Sequence, residues 1–580
     1  MDYKQQYDFW RRSDYFDEGT KEELENIKDN DNEIKERFYK DMEFGTGGLR
    51  GIIGAGTNRM NIYTVRRASQ GLANYVMLHG DEVAAKGIVI AYDVRRKSRE
   101  FAENAARVFV ANGIRTYLFE DIRPTPELSF AIRYLKTASG VVVTASHNPK
   151  EYNGYKAYGD DGALLAIENS QRVIDEIEKL ADVSDIKIVD LDEAFKQGML
   201  QIIGLEIDNA YLDEVQKVSI NKEMIKNNGD KLKIIYTPIH GTGNKLVRAI
   251  LDRIGIKNVK VVKEQELPDS EFSTVKSPNP ENLEAFTLAI RDAKEYGADI
   301  IIGTDPDSDR VAVLAKDKSG NFEHLSGNET GNLLLYYILS SRKENNDLPS
   351  NAFMVKTVVT TELSRTIANS FNVDVKEVLT GFKFIGEQIA LFSDTGKQTF
   401  MIGFEESYGY LSGTQSRDKD GVVGAMLLSE AALYYKLKSM TLTDVIEEMY
   451  VKYGYRAEAT YSYTLNGIEG AEKIKYAMDM MRKIPPEVID GFKLLAVRDY
   501  ESSLRTDVIT GEMQAITLPV SNLLYFEIYG NTWFAIRPSG TEPKIRLYFE
   551  VCAKSREQAD KDLAKLQKNV RNTIEKYLYQ

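Results

Sequence analysis

Asp299-Ile300-Ile301-Ile302-Gly303-Thr304-Asp305-Pro306-Asp307-Ser308-Asp309-Arg310 is an apolar run that ends abruptly in charge. Its first part, Asp299–Ile302, reads as a buried strand, because β-branched side chains crowd a helix but suit a pleated sheet. Upstream lie a strand at Lys231–Thr237 (KLKIIYT), a helix through Ala249 to Gly255, and a strand at Val259–Val262. Asn279-Pro280 offers a cap and a first-turn proline, which predicts a second helix from there to Gly297. The order is strand, helix, strand, helix, strand, and then a polar loop.

The same order is written twice more. Before it come Lys86–Tyr92 (KGIVIAY), a helix capped by Ser98 and stopped by Gly113, Ile114–Phe119, a helix at Glu127–Leu135, and Gly140–Thr144. After it come Ala352–Val359, a helix at Thr361–Asn369, Val373–Leu379, a helix near Phe384, and Gln398–Ile402. Such units predict mixed, mainly parallel sheets covered by helices. Ligands in such sheets bind beyond the carboxyl ends of strands. The loops at those places are Thr144–Pro149 (TASHNP), Thr304–Arg310 (TDPDSDR) and Gly403–Gly409 (GFEESYG), the most polar of their units.

The expected fold is therefore α/β: three similar mixed α/β domains, at 45–205, 206–325 and 326–452, and a C-terminal α+β domain at 453–580. Residues 1–44 read as a helical extension of the first domain, with no obvious core of their own. A chain of 580 residues is too long for one hydrophobic core in any case.

Composition narrows the function. Apolar residues make up 43% and charged residues 28%, as in ordinary globular proteins, and the net charge is −13. That balance argues against a nucleic-acid partner, which requires broad basic surfaces. An anionic ligand would have to be met by a few placed Arg and Lys. The lone Cys552 excludes internal disulfides and Cys-rich zinc sites. No run approaches the roughly 18 apolar residues of a membrane span, and Met1–Gln6 lacks the apolar core of a secretory signal. A soluble cytoplasmic protein is expected.

Asp305, Asp307 and Asp309 stand at alternate positions and can converge on one hard cation, and magnesium prefers oxygen ligands. A calcium EF-hand fails, since its sixth position would be Arg310 and its twelfth Lys316. An aspartyl-phosphatase loop would want Thr or Val at Asp309, which weakens that reading without removing it. Ser146 sits in no Gly-x-Ser-x-Gly elbow, so a hydrolase triad has no support. A serine hydroxyl is a weak nucleophile and needs a base, a metal or prior activation. Phosphorylated, Ser146 would become a metal ligand and a donor with a charge of about −1.5 to −2. His147 is assigned only local support of its loop.

Lys156, in Asn153-Gly154-Tyr155-Lys156, is a candidate proton carrier, because a lysine among cations and away from water can have a lowered pKa. An exposed lysine is the plain alternative. Arg537–Lys544 (RPSGTEPK) combines the Arg537 guanidinium, the hydroxyls of Ser539 and Thr541, and backbone amides around Gly540. That set suits a phosphate dianion, though a structural β-turn has the same composition. Neither a Walker A sequence nor a strict Gly-x-Gly-x-x-Gly fingerprint is present, so nothing favours a nucleotide.

These loops, in this order and over nearly the whole chain, resemble the α-D-phosphohexomutase superfamily. Thr144–Pro149 is similar to its phosphoserine loop, Asp305–Arg310 to its metal loop, Glu405–Gly409 to its sugar-recognition loop, and Arg537–Pro543 to its phosphate clamp. The resemblance implies that Arg50, after the glycine-rich Phe44–Gly51, faces the phosphoserine and that Lys156 transfers protons. It implies substrate contacts from Arg310, Thr380, Gly381, Glu405, Ser407 and Lys419, and four domains around one central cleft. Length and the N-terminal extension look like the longer phosphoglucomutase/phosphopentomutase branch, and Gly47-Gly48-Leu49 is a conservative departure from it.

The activity so implied is interconversion of glucose 1-phosphate and glucose 6-phosphate, with Mg²⁺, a phosphoserine at Ser146 and glucose 1,6-bisphosphate as activator and intermediate. The partners implied are small phosphosugars, not nucleic acid or membrane. A phosphopentomutase, phosphomannomutase or glucose-1,6-bisphosphate synthase would use the same site. A metal-dependent sugar phosphatase is the rival from another class, and would release inorganic phosphate without a bisphosphate.

Overall fold

The computed structural model describes residues 2–45, 47–180, 183–465, 467–483, 488–489, 491–539 and 544–579. Three of its sheets repeat one plan. In the first, Ile88–Tyr92 lies parallel between Ser139–Val143 and Thr116–Phe119. In the second, Lys233–Thr237 lies parallel between Ile300–Thr304 and Asn258–Val261. In the third, Ala352–Thr357 lies parallel between Thr399–Glu405 and Asp374–Val378. The repeat expected from the sequence is thus present, and in each unit the first strand lies between the other two.

After each third strand the chain makes its polar loop and returns antiparallel, as Tyr152–Gly159, Val311–Lys316 and Gly409–Leu411. The hairpin pins both ends of the loop to the sheet. In the first sheet Gly48–Ile52 then pairs antiparallel with Tyr152–Gly159, which carries Arg50 to the edge beside the serine loop.

The three units share one continuous apolar cluster, running from Val89 and Phe130 through Ile234 and Ile301 to Leu334 and Leu427. At its centre the helix Gly421–Leu437 is buried on nearly all sides, as an all-round apolar helix must be. The last unit has a different plan, an antiparallel sheet from Tyr455–Thr464 to Met513–Ala515 packed on the helices Gly467–Lys483 and Arg556–Tyr579. A second apolar cluster, with Phe353 and Val359 on one side and Tyr525, Trp533 and Tyr548 on the other, joins this sheet to the third unit.

Three local expectations are corrected. The helix expected at Asn279-Pro280 begins later, as a tight turn at Leu283–Phe286 followed by Thr287–Tyr296. Ser98 opens its helix but does not cap it; its hydroxyl donates instead to Asp93 Oδ1 at 2.6 Å. The N-terminal extension does have a core: Tyr7, Trp10, Phe16, Leu24, Ile34 and Phe38 cluster against Tyr63, with Trp10 and Phe16 stacked at 4.2 Å. Its aromatics are spread over three short helices, Tyr3–Arg12, Glu18–Glu25 and Asp31–Phe38, none of which carries an apolar stripe long enough to stand out alone.

Candidate active site

The three polar loops meet. Each contains one non-glycine residue in the left-handed region: Ser146 at φ 50°, Ser308 at φ 52° and Tyr408 at φ 64°. Such residues cost roughly 1–3 kcal/mol each and persist only where the surroundings over-determine them. Here the sharp turn brings the loop back to its antiparallel return strand and fixes what each loop presents.

Ser146 and the aspartates come from different sheets, yet Ser146 Oγ donates to Asp305 Oδ2 at 2.7 Å. Lys156 Nζ lies 2.9 Å from Asp307 Oδ2 and 3.8 Å from Asp309 Oδ2. Lys419 Nζ approaches Asp309 Oδ2 at 3.0 Å and Asp418 Oδ1 at 3.1 Å. The sugar-loop side is tied in by Val311 N–H to Tyr408 O at 3.2 Å and Gly421 N–H to Ser308 O at 3.0 Å.

Asp305, Asp307 and Asp309 are almost wholly buried, and ligand oxygens of all three lie within 4.8 Å of one another. Burial and mutual repulsion hold the Asp305 carboxyl well above the usual range, and burial also raises Asp309. At Asp307 burial is outweighed, chiefly by the Lys156 ammonium, and its pKa is driven down. Asp307 Oδ1 and Asp309 Oδ1 are buried without a hydrogen-bond donor. Orphaned carboxylate oxygens converging at this spacing fit a hard divalent cation, so the trio can hold a metal. Burial, with Arg310 and Arg50 nearby, keeps His147 well below its ordinary pKa and hence neutral, its Nδ1 3.2 Å from Ser146 Oγ.

Of the remaining sequence-derived residues, Arg50, Gly381 and Glu405 are tied to these loops by hydrogen bonds. Arg50 Nη1 donates to Asn148 Oδ1 of the serine loop at 3.1 Å. Glu405 is buried, its pKa raised by that burial, and accepts the Gly381 N–H at 2.8 Å, which joins the two stretches expected to meet substrate. Thr380 and Ser407 are half-buried beside them. Arg537 and Ser539 stand at the end of Thr532–Pro538, with Ser539 exposed. Gly540 and Thr541 lie outside the described residues.

Sequence reasoning missed the residues that hold these loops in place. Arg95, buried after the first strand, donates to the backbone carbonyls of Ser146 and Asn148, both at 2.5 Å, and of Pro149 at 2.8 Å. Asp93 accepts the Thr144 hydroxyl at 2.7 Å. Thr125 donates its N–H to Asp307 O at 2.9 Å and its hydroxyl to Asp307 Oδ2 at 3.1 Å, locking the first unit to the metal loop. Arg546 sits directly opposite Arg537 in the antiparallel register. Like charges in that relation are destabilising unless an anion answers them. The available signal was a charged pair just past a buried strand, Asp93-Val94-Arg95, in the loop after the first strand of a unit.

Known proteins share the domain order. Family models for phosphoglucomutase/phosphomannomutase match in order: α/β/α domain I at 41–184, domain II at 209–320, domain III at 327–453 and the C-terminal domain at 506–570. A phosphoglucomutase of Staphylococcus haemolyticus is 37% identical over 530 residues, 91% of this chain and 93% of that one. One of Staphylococcus epidermidis is 38% identical over 89% of this chain and 92% of its own. Among solved structures, the open form of the Paramecium phosphoglucomutase parafusin superposes with a TM-score of 0.68 at 18% identity, covering 93% of this chain and 96% of its own.

Proposed function

The chain belongs to the phosphoglucomutase/phosphomannomutase family, and on that premise we propose that it interconverts glucose 1-phosphate and glucose 6-phosphate through a phosphorylated Ser146. The observation that carries this reading is the 2.7 Å approach of Ser146 Oγ to the buried aspartate trio. A serine held there is well placed to carry a phosphoryl group beside a cation.

In the proposed first half, the phosphoryl group leaves Ser146 Oγ for the free 6-hydroxyl of glucose 1-phosphate, and the Lys156 ammonium hands a proton to the freed Ser146 Oγ as it takes up the one that hydroxyl loses. The product is glucose 1,6-bisphosphate. It turns over in the cleft, its 1-phosphoryl group passes back to Ser146 Oγ, and glucose 6-phosphate leaves with a proton restored to O1. Such transfers depend on alignment and charge stabilisation rather than on covalent chemistry by the protein.

Asp305, Asp307 and Asp309, with the oxygen on Ser146, would hold magnesium, which when bound supplies positive charge against the phosphoryl oxygens. Arg50 is assigned to the serine-loop side of the moving group. Arg537, Ser539, Gly540 and Thr541 are assigned to the phosphate that does not react, in either orientation of the sugar. Glu405, Ser407, Thr380, Gly381, Arg310 and Lys419 are assigned to the sugar phosphate between them. A carboxylate such as Glu405 can accept from two neighbouring hydroxyls, which suits a ligand that must be read both ways round. The cleft is read as the junction of four domains, 45–205, 206–325, 326–452 and 453–580, with 1–44 attached to the first.

The test is a coupled assay for glucose 6-phosphate from glucose 1-phosphate, with magnesium and catalytic glucose 1,6-bisphosphate, on wild type and Ser146→Ala. Turnover in wild type and none in the variant is expected. An inactive wild type removes the glucose reading; an active Ser146→Ala removes the serine's role. Mannose 1-phosphate and ribose 1-phosphate in the same assay rank the sugars.

A further inference from the structure

Glu281 has no role in the scheme above. The sequence suggested that Asn279-Pro280 begins a helix, yet the helix starts only at Thr287. What those residues build instead is a rigid turn. Glu281 N–H donates to Asn279 Oδ1 at 3.1 Å, Asn282 N–H donates to Asn279 O at 3.0 Å, and Pro280 fixes its own φ. The turn presents Glu281 Oε1 to Arg310 Nη1 at 2.5 Å.

Arg310 is a long side chain at the meeting point of the loops. Its backbone N–H donates to Asp305 Oδ1 at 3.0 Å, and its backbone bridges to Gly409 of the sugar loop. Its charge bears on His147 of the serine loop and on Glu405 of the sugar loop. Only 15% of the side chain is exposed, and Nε is buried without a hydrogen-bond partner. Apart from Glu281, the nearest carboxylate among the described residues is Asp309, 3.9 Å from Nε. Among those residues Glu281 therefore makes the one close ion pair that fixes this guanidinium.

The pair is a poor device for stability. Glu281 is 37% exposed, and half-exposed ion pairs contribute little to folding. Fixing an arginine does matter for recognition, since each rotamer frozen before the ligand arrives is one the ligand need not freeze. Glu281 also lines a cavity of about 280 Å³ with Glu406 and Tyr408 of the sugar loop and Trp533 and Tyr548 of the C-terminal sheet. It thus stands where the metal loop, the sugar loop and the fourth domain come together.

We propose that Glu281 is a positioning residue for phosphosugar binding: it holds Arg310 by one nitrogen so that the guanidinium meets the substrate already oriented in the cleft. This rests on the phosphosugar reading above. Glu281 acts through Arg310 and makes no contact with the reacting atoms.

The experiment is a double-mutant cycle on Glu281→Gln and Arg310→Gln, read by calorimetric binding of glucose 6-phosphate and by steady-state kinetics. Glu281→Gln is expected to weaken binding about tenfold, the loss appearing in KM more than in kcat. In the Arg310→Gln background the same change is expected to add less than about twofold, because the residue through which it acts is gone. Glu281→Asp, which keeps the charge on a shorter arm, is expected to recover part of the loss. Equal binding by Glu281→Gln and wild type, or a loss fully additive with that of Arg310→Gln, overturns the inference and leaves the mutase reading intact. A wild type that does not bind glucose 6-phosphate at all overturns both.

Discussion

Three buried carboxylates whose oxygens lie within 4.8 Å of one another repel, and a cation is what turns that repulsion into binding. The metal-free protein should therefore tolerate Asp309→Asn with little loss of stability, since the amide oxygen still accepts from Lys419 Nζ and the nitrogen takes the place of the unpartnered Oδ1. Magnesium at about 100 times its Kd should raise wild-type stability by about 2.7 kcal/mol, and by far less in the variant. Thermal melts with and without magnesium check both statements. Glu406 makes a second case at this scale. Burial, and then its neighbour Glu405, push the Glu406 carboxyl from 4.5 to about 8. The folded protein thus keeps a proton that the unfolded chain has lost, and the stability this proton contributes is complete below pH 4.5 and lost as pH rises through about 8. Glu406→Gln should flatten the fall in Tm between those values, so that the variant gains on wild type as pH rises. Parallel melts from pH 5 to 8.5 would show it, and identical slopes would count against a proton on Glu406.

At the scale of elements, the metal loop is held from behind by the loop after the second unit's first strand. Thr242 N–H donates to Pro306 O at 2.9 Å, and a side chain at Gly241 would put its Cβ 2.6 Å from Pro306 Cα and 2.9 Å from Asp305 O. Only glycine allows that approach. Gly241→Ala should displace the metal loop, weaken magnesium about tenfold or more in an activity titration, and cost roughly 1–3 kcal/mol of stability. A stability loss with unchanged magnesium dependence would mean that the loop yields elsewhere. The contrast between what the sequence discloses and what it hides belongs to this scale too. Strands such as Ile88–Tyr92 and Ile300–Thr304 are buried on both faces, so they are written as unbroken apolar runs, and the polar loop beyond each announces itself. Ser146 and the three aspartates were legible for that reason. Arg95 was not, because an arginine spent on four backbone carbonyls looks in sequence like any charged loop residue. The turn at Asn279-Pro280 misled because a helix cap and an Asx turn use the same residues, and here Asn279 Oδ1 accepts the Glu281 N–H of a turn.

For the whole molecule, the loops proposed to react and the stretch proposed as a phosphate clamp are carried by separate bodies. The serine, metal and sugar loops grow from three units with one continuous core, while Arg537 and Ser539 ride on the C-terminal sheet, whose own core is distinct. The bodies are joined by the apolar cluster of Phe353 and Val359 with Tyr525, Trp533 and Tyr548, and by polar contacts beside it. Arg498 of the C-terminal sheet pairs with Glu377 of the third unit at 2.8 Å and with Glu527 at 2.5 Å. Asn328 donates to Glu458 at 2.5 Å, and Glu550 accepts the backbone N–H of Glu362 at 3.1 Å. Glu377 keeps Arg365 at 2.7 Å when Arg498 is lost, so no buried carboxylate is left unanswered and the third unit should stand. Arg498→Ala should accordingly cost roughly 1.5–3 kcal/mol of stability and loosen the clamp. Steps that need the clamp should suffer, with KM for glucose 1-phosphate rising roughly 3- to 10-fold. Steps that need only the three-unit body should not, and slow loss of phosphate from phosphorylated Ser146 to water should stay within about twofold of wild type. Were both to fall together, the clamp and the reactive loops would have to be one mechanical unit, and the polar contacts between them would have no part in letting a bisphosphate turn.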